Sequence, residues 1–378
     1  MKSPNAFATL SRITLQTATL CAVLCVMALG VSASTLTKFN APGAGTGAGQ
    51  GTESLAISST GVLAGYYIDS NDVLHGFART TNGTITAIDA PGAGTSSGQG
   101  TVAYSINHGG TITGYYIDAS GVFHGYVRAP GGTFTSFDAT GAGTGSGQGT
   151  LAANINTAGA ISGYYIDANT SFHGFVRAAN GTITSYDAPG AGTGTDQGTL
   201  SGGVDCINTA GTITGVYLDS NNVYHGYVRS ATGTITTFDV TGAGTGAGQG
   251  TQISGINDTG TIVGEGIDSN GAFHGYTRAV SGTFTVFNVT GAGTASGQGT
   301  EPENINASGA AAGLYIDSNG VNHGFERTAG GTIATGNVPG AGTASGQGTL
   351  PSSNSANGQI DGYYIDAAGA LHGFLFVP

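Results

Sequence analysis

Cysteine is nearly absent from this chain: three in 378 residues, two of them, Cys21 and Cys25, inside the first 33. Only Cys206 lies beyond, so that part can form no internal disulfide and depends on packing and backbone pairing. Charge is sparse as well, at 8% of residues. Nine basic residues less Lys2 and Arg12 leave seven against 21 acidic, a net charge of −14. No basic patch exists, which excludes nucleic acid and anionic membrane surfaces as natural partners. After the N-terminal segment there is no second long apolar run, so membrane insertion is not expected. Pro or Gly recurs every 8–12 residues, which excludes helices of useful length.

Residues 1–33 read as a secretory signal peptide. Lys2 and Arg12 give a positive start, Thr17 to Val31 is mostly apolar, and Val31-Ser32-Ala33 fits a cleavage site near Ala33. Cys25 follows Val-Leu rather than small residues, so a lipid anchor is not expected. The expected location is secreted or periplasmic. Residues 34–378 then form a single domain of about 345 residues, ample for a large core. Glycine is abundant, at 71 residues, but regular Tyr, Ile, Phe and Val positions argue against disorder.

Those positions belong to an internal repeat. His-Gly recurs at His75, His124, His173, His225, His274, His323 and His372, with spacings of 49, 49, 52, 49, 49 and 49 residues. Each copy runs through Ile-Asn-x-x-Gly, Gly-Tyr-Tyr-Ile-Asp, His-Gly-Phe/Tyr-x-Arg and Gly-Thr-Ile-Thr-x-Phe-Asp. It closes with Pro-Gly-Ala-Gly-Thr-x-x-Gly-Gln-Gly-Thr. In the second copy, Val102–Asn107, Thr111–Asp118, Val122–Arg128 and Thr133–Asp138 read as four strands separated by turns. Four antiparallel strands per 40–50 residues predict a seven-bladed β-propeller. The chain stops at His372-Gly-Phe-Leu-Phe-Val-Pro378, before a fourth strand, while Thr35-Leu-Thr-Lys-Phe-Asn40 supplies that strand at the front. Residues 35–40 are therefore expected to complete the last blade and latch the ring, leaving no open sheet edge. A parallel β-solenoid is the rival, but it needs terminal caps that this sequence lacks.

Ile106-Asn-His-Gly-Gly-Thr-Ile-Thr-Gly114 followed by His124-Gly-Tyr126 resembles the HAF-type extracellular repeats of bacteria, with Gly where that family has Ala. The resemblance spans essentially all of 34–378 and implies an exported repeat protein. It brings no catalytic residues with it.

Candidate chemistry follows the repeat and its breaks. The seven histidines are expected to share a strand face with Tyr, Asp and Arg and to form a structural hydrogen-bond network. They are too far apart for one zinc site, and among the seven loops only Asp196 supplies an acid, so neither a metal nor any cofactor is expected. The loops lack the Lys-Ser/Thr of a phosphate cradle. Gln50, Gln99, Gln148, Gln197, Gln249, Gln298 and Gln347, one per loop, are the ligand-binding candidates, with each Gln satisfying its own loop as the structural alternative. The unmatched residues are Glu265, Glu301, Glu303, Glu326, Asp361 and, in a three-residue insertion of repeat four, Asp205 and Cys206. No pair of them has a spacing that predicts catalysis. The sequence thus points to a monomeric, non-catalytic binding or structural module for an extracellular glycan or protein. The second possibility is a polysaccharide hydrolase or lyase with acids in the channel.

Overall fold

A computed structural model describes residues 34–201 and 205–378; the signal-peptide segment and part of the repeat-four insertion lie outside the described residues. The described chain is all strand and turn, without a helix. Repeat two is representative. Gly100–Ile106 pairs antiparallel with Ile112–Ile117, which pairs with Phe123–Arg128, which pairs with Phe134–Phe137. Turns hold this order because Asp and Asn side chains satisfy them: Asp118 Oδ1 accepts from the amides of Ser120 and Val122 at 2.8 and 2.9 Å.

The expectation of a seven-bladed β-propeller of four-stranded antiparallel blades, its ring closed by residues 35–40, is overturned by the strand pairing. The strands form one closed, barrel-like sheet of 29 strands. Each third strand also meets the first strand of the next repeat in a parallel, one-residue pair, as at Leu74 and Gly100. The pair between Gly51 and Leu371 brings the series back to its beginning. Three strand positions from each repeat, 21 in all, make this closed ring, the first of repeat five being split into Gly250–Thr251 and Gly255–Ile256, and the seven fourth strands branch off it. Closure therefore runs through Gly51. Thr35–Phe39 is one of the branches, antiparallel to Leu371–Val377.

Glycine is the reason for the continuity. Gly100 has φ +125°, and a Cβ there would collide with the Leu74 carbonyl oxygen. Without that Cβ the backbones touch, and the Leu74 amide donates to the Gln99 carbonyl at 2.8 Å. The same bond recurs at every junction, ending with the Leu371 amide on the Gln50 carbonyl at 2.8 Å. The next residue, Thr101, is fully buried and accepts from the Ala90 amide at 2.9 Å, tying each loop to the strand it feeds.

The core lies between consecutive repeats. One cluster joins Ile88 and Ala64 of repeat one to Ala103, Ile112 and Tyr126 of repeat two. Tyr126, Tyr227, Tyr276, Phe77 and Phe175 are fully buried there, each burial being worth about 1.5–3 kcal/mol. Arg79, Arg177, Arg229, Arg278 and Arg327 place their guanidinium groups 4.4–4.8 Å from an aromatic ring of the preceding repeat's fourth strand. For Arg79 that ring is Phe39, so the N-terminal strand takes part in the same contact.

Candidate functional site: the loop face and the ring interior

The long loops and the hairpins between second and third strands emerge together and alternate around one rim. Gly98 N–H donates to the Asp72 carbonyl of the preceding hairpin at 2.8 Å, and Gln99 Nε2 donates to the Ala119 carbonyl of the following one at 3.1 Å. Each of the seven glutamines is engaged at both ends of its amide. Gln148 Oε1 accepts from the Gly145 amide at 2.9 Å while its Nε2 donates to the Ala168 carbonyl at 3.2 Å. Gln50, Gln99, Gln197, Gln249, Gln298 and Gln347 repeat the arrangement; in Gln50 the acceptor is the Asp72 carboxylate, and Gln197 also donates to Asn222 Oδ1.

The histidines sit just inside this rim. His173 stacks on Tyr165 at 4.9 Å, Nδ1 lies 3.0 Å from Asp187, and Nε2 lies 3.7 Å from Asp167. His75, His124 and His225 have the same two carboxylate neighbours. In His274, His323 and His372 the outer partner is Asn288, Asn337 or Asn40 instead. Their side chains are 20–34% exposed, so they are half-buried rather than enclosed, because the third strand begins at the surface. For the inner carboxylates, such as Asp167, burial pushes the pKa up, but amide donors from Ser171 and Asn169 outweigh it and hold the group below the ordinary range. Among the described residues no group of three or more His, Cys, Asp or Glu is arranged to hold a metal ion.

At the opposite end, seven Ile-Asn or Ile-Ser/Asn-Ser steps surround a cavity of about 200 Å³. Here the Asn side chains form a directional ring. Asn107 Nδ2 donates to the Asn156 carbonyl at 3.2 Å, Asn156 to Asn208 at 3.0 Å and Asn208 to Asn257 at 3.3 Å. Asn257 continues to Asn306 at 3.1 Å, and Asn306 to Ser355 at 2.9 Å. Each Asn Oδ1 also caps its own turn, as Asn107 does for Thr111 at 3.0 Å. The shorter Ser355 and Ser58 interrupt the ring where repeats seven and one meet.

Between the two ends, the ring interior collects the acids that break the repeat. Tyr66, Tyr115, Tyr164 and Tyr363 occupy one position of the second strand in repeats one, two, three and seven. Glu265 holds that position in repeat five. Glu301 and Glu303, two residues apart on the strand Gly299–Ile305, lie close enough to Glu265 to raise its pKa. Burial pushes Glu301 up to about 7. Burial and then the Glu301 charge push Glu303 up to about 8. Glu53 is raised by burial while its hydrogen bond with Tyr66 works the other way. Asp361 is fully buried between repeats seven and one, accepts from Ser54 Oγ at 2.6 Å, and is pushed by burial up to about 7. Asp205 faces the narrow cavity and accepts from Asn304 Nδ2 at 2.8 Å, and Cys206 beside it is buried with Sγ 3.8 Å from the Ser254 carbonyl. Sequence spacing did not bring Glu265 to the Glu301–Glu303 pair. The available signal was the i, i+2 pair itself, together with an acid standing where other repeats carry Tyr.

The fold and site thus define a closed all-β repeat ring with a hydrogen-bonded loop rim and an acidic, tyrosine-lined interior. No protein-family model matches the chain, and no curated protein matches it in sequence. Among solved structures, the BP39L lectin from Burkholderia pseudomallei is similar with a TM-score of 0.52 at 10% identity, covering 86% of this chain and 98% of the lectin. A mutant Aleuria aurantia lectin in complex with alpha-methyl-L-fucoside has a TM-score of 0.43 at 13% identity, covering 80% of this chain and 94% of that one. A mutant puromycin hydrolase complexed with PGG has a TM-score of 0.49 at 10% identity, and the matched part covers 86% of this chain but 53% of the hydrolase, about half its length. At these identities the likeness concerns the fold.

Proposed function

We propose that this protein is an exported, non-catalytic carbohydrate-binding module that presents its loop face to an extracellular glycan. The observation that supports the reading most is the likeness in fold to a bacterial lectin over 86% of this chain and nearly the whole of the lectin. Composition agrees: a sparsely charged, net-acidic chain suits a neutral polymer better than a polyanion. The resemblance to HAF-type repeats supports export. The test is retention of the purified chain on a glycan array and on immobilised neutral polysaccharides, with and without chelator. Retention that is saturable and chelator-independent is the expected result; no retention on any glycan overturns the reading.

The Glu265–Glu301–Glu303 cluster favours a second reading, polysaccharide cleavage, since a carboxyl protonated near neutrality can act as a general acid. The same polymers separate the two. Release of reducing ends that disappears in Glu303→Gln would replace the binding module with an enzyme.

A further inference from the structure

The repeated groups of the rim are engaged by the fold, and several departures from the repeat meet at one place. Six loops carry glycine at the turn position of Gly49, in a left-handed conformation where an added Cβ meets nothing within 4 Å. The loop that leads into repeat four has Asp196 there instead, at φ 57°. Asp196 is exposed, its amide donates to the Thr170 carbonyl at 3.0 Å, and its carboxylate makes no hydrogen bond with the described residues. Aspartate is among the few residues besides glycine that tolerate this conformation, as Asp72 does at φ 60°, so the turn accepts a carboxylate here.

Beneath Asp196 the packing changes as well. In repeats two and three the rings of Tyr115 and Tyr164 pack edge-on against Phe123 and Phe172, with centroids 5.6 and 5.9 Å apart. Repeat four has Val216 in the Tyr position, and Tyr224 follows where those repeats have Phe. Among the described residues Tyr224 has no ring against it. Beside Val216 lies a cavity of about 610 Å³ that is lined from Asp196 to Val216, with Phe172 and Tyr224 as aromatic walls and Asn222 and Gln252 at its edge.

We propose that this cavity is a single-copy saccharide site. The inference rests on the carbohydrate-binding reading and gives it a place. The volume falls within the range of small-ligand sites, roughly 300–1,000 Å³. A pyranose has an apolar face and a belt of hydroxyls; the cavity sets aromatic and aliphatic walls beside a carboxylate and two amides. Among the described residues that line it, Asp196 is the one acidic or basic side chain, so a neutral or amino sugar fits and an acidic sugar is disfavoured.

The test is saturation-transfer NMR and titration with methyl glycosides of a neutral hexose, a 6-deoxyhexose, an N-acetylhexosamine and a hexuronic acid. Val216→Tyr and Asp196→Gly each restore a residue that other repeats carry, so both are expected to fold. One site per chain is expected, with exclusion of the hexuronic acid and binding weakened roughly tenfold or more in each variant, about 1.4 kcal/mol. A stoichiometry near seven, undiminished binding in Val216→Tyr, or polymer retention without binding of any methyl glycoside overturns the cavity and leaves the carbohydrate-binding reading standing. Absence of both glycoside binding and polymer retention overturns both.

Discussion

At the scale of single residues, the glutamines tie each loop to a hairpin, and neighbouring glycines differ in what they make possible. Gly149 and Gly147 are neighbours with the same composition cue, yet their environments differ. A Cβ at Gly149 would run into the Phe123 carbonyl, whereas at Gly147 it meets open space, although both have positive φ. Gly149→Ala is therefore expected to cost more than about 3 kcal/mol through a broken junction, and Gly147→Ala about 1 kcal/mol through backbone strain alone. Urea midpoints of the two variants check the order, which a uniform turn role would make equal. Gln148→Ala removes two hydrogen bonds between loop and hairpin and is expected to cost about 1–2 kcal/mol. His173→Ala, half-buried between two carboxylates, should cost about 1 kcal/mol and leave the fold intact by circular dichroism. The type and spacing of these residues were legible in the sequence. Their backbone neighbours were not, because those come from a different repeat.

At the scale of elements, the N-terminal strand is the informative one. Thr35–Phe39 pairs over five residues with Leu371–Val377, although more than 300 positions separate them in the chain. It also brings Phe39 under Arg79, Asn40 to His372 at 2.9 Å, and Lys38 Nζ to the Pro339 carbonyl at 3.0 Å. Deleting residues 34–40 is expected to lower the melting temperature and promote association, because the edge of Leu371–Val377 becomes available to another chain. Calorimetry and light scattering on the shortened chain test this; an unchanged melt would show the branch to be dispensable. The ring itself should survive, since Gly51 closes it through Leu371 independently of this strand. The missing fourth strand at one end and its copy at the other made this pairing readable from the repeat alone. The parallel links between repeats were not readable, because a one-residue pair leaves no periodicity.

At the scale of the whole molecule, charge decides how stability follows pH. Glu301, Glu303 and Asp361 are raised to about 7, about 8 and about 7 from ordinary values of 4.5, 4.5 and 3.8. A carboxyl whose folded pKa is raised favours the folded state while it holds its proton. That stability is complete below about pH 4 and is lost as pH climbs through 7 and 8. The turn aspartates such as Asp167 have the opposite sign: their folded pKa values are lowered, so their contribution is present above the ordinary carboxylate range and is lost as pH falls below it. Maximum stability is therefore expected in mildly acid solution, at roughly pH 4–6. Melting curves from pH 3 to 9 test it, with Glu303→Gln expected to flatten the alkaline side; a melting temperature that rises from pH 5 to 8 contradicts the buried-acid account.

The sequence alone determined the repeat, its seven copies, the antiparallel order within each and the displaced strand that completes the last. All of these follow from local turn chemistry and from a period that symmetry makes visible. Tertiary structure decided the rest. It joined the repeats into one closed sheet, because seven glycines allow backbones of successive repeats to touch. It gathered Glu265, Glu301 and Glu303 from two repeats into one interior cluster. It opened a cavity in repeat four, where a valine replaces a tyrosine beneath a lone aspartate. Each of these depends on what one repeat presents to the next, and that contact exists only once the ring has closed.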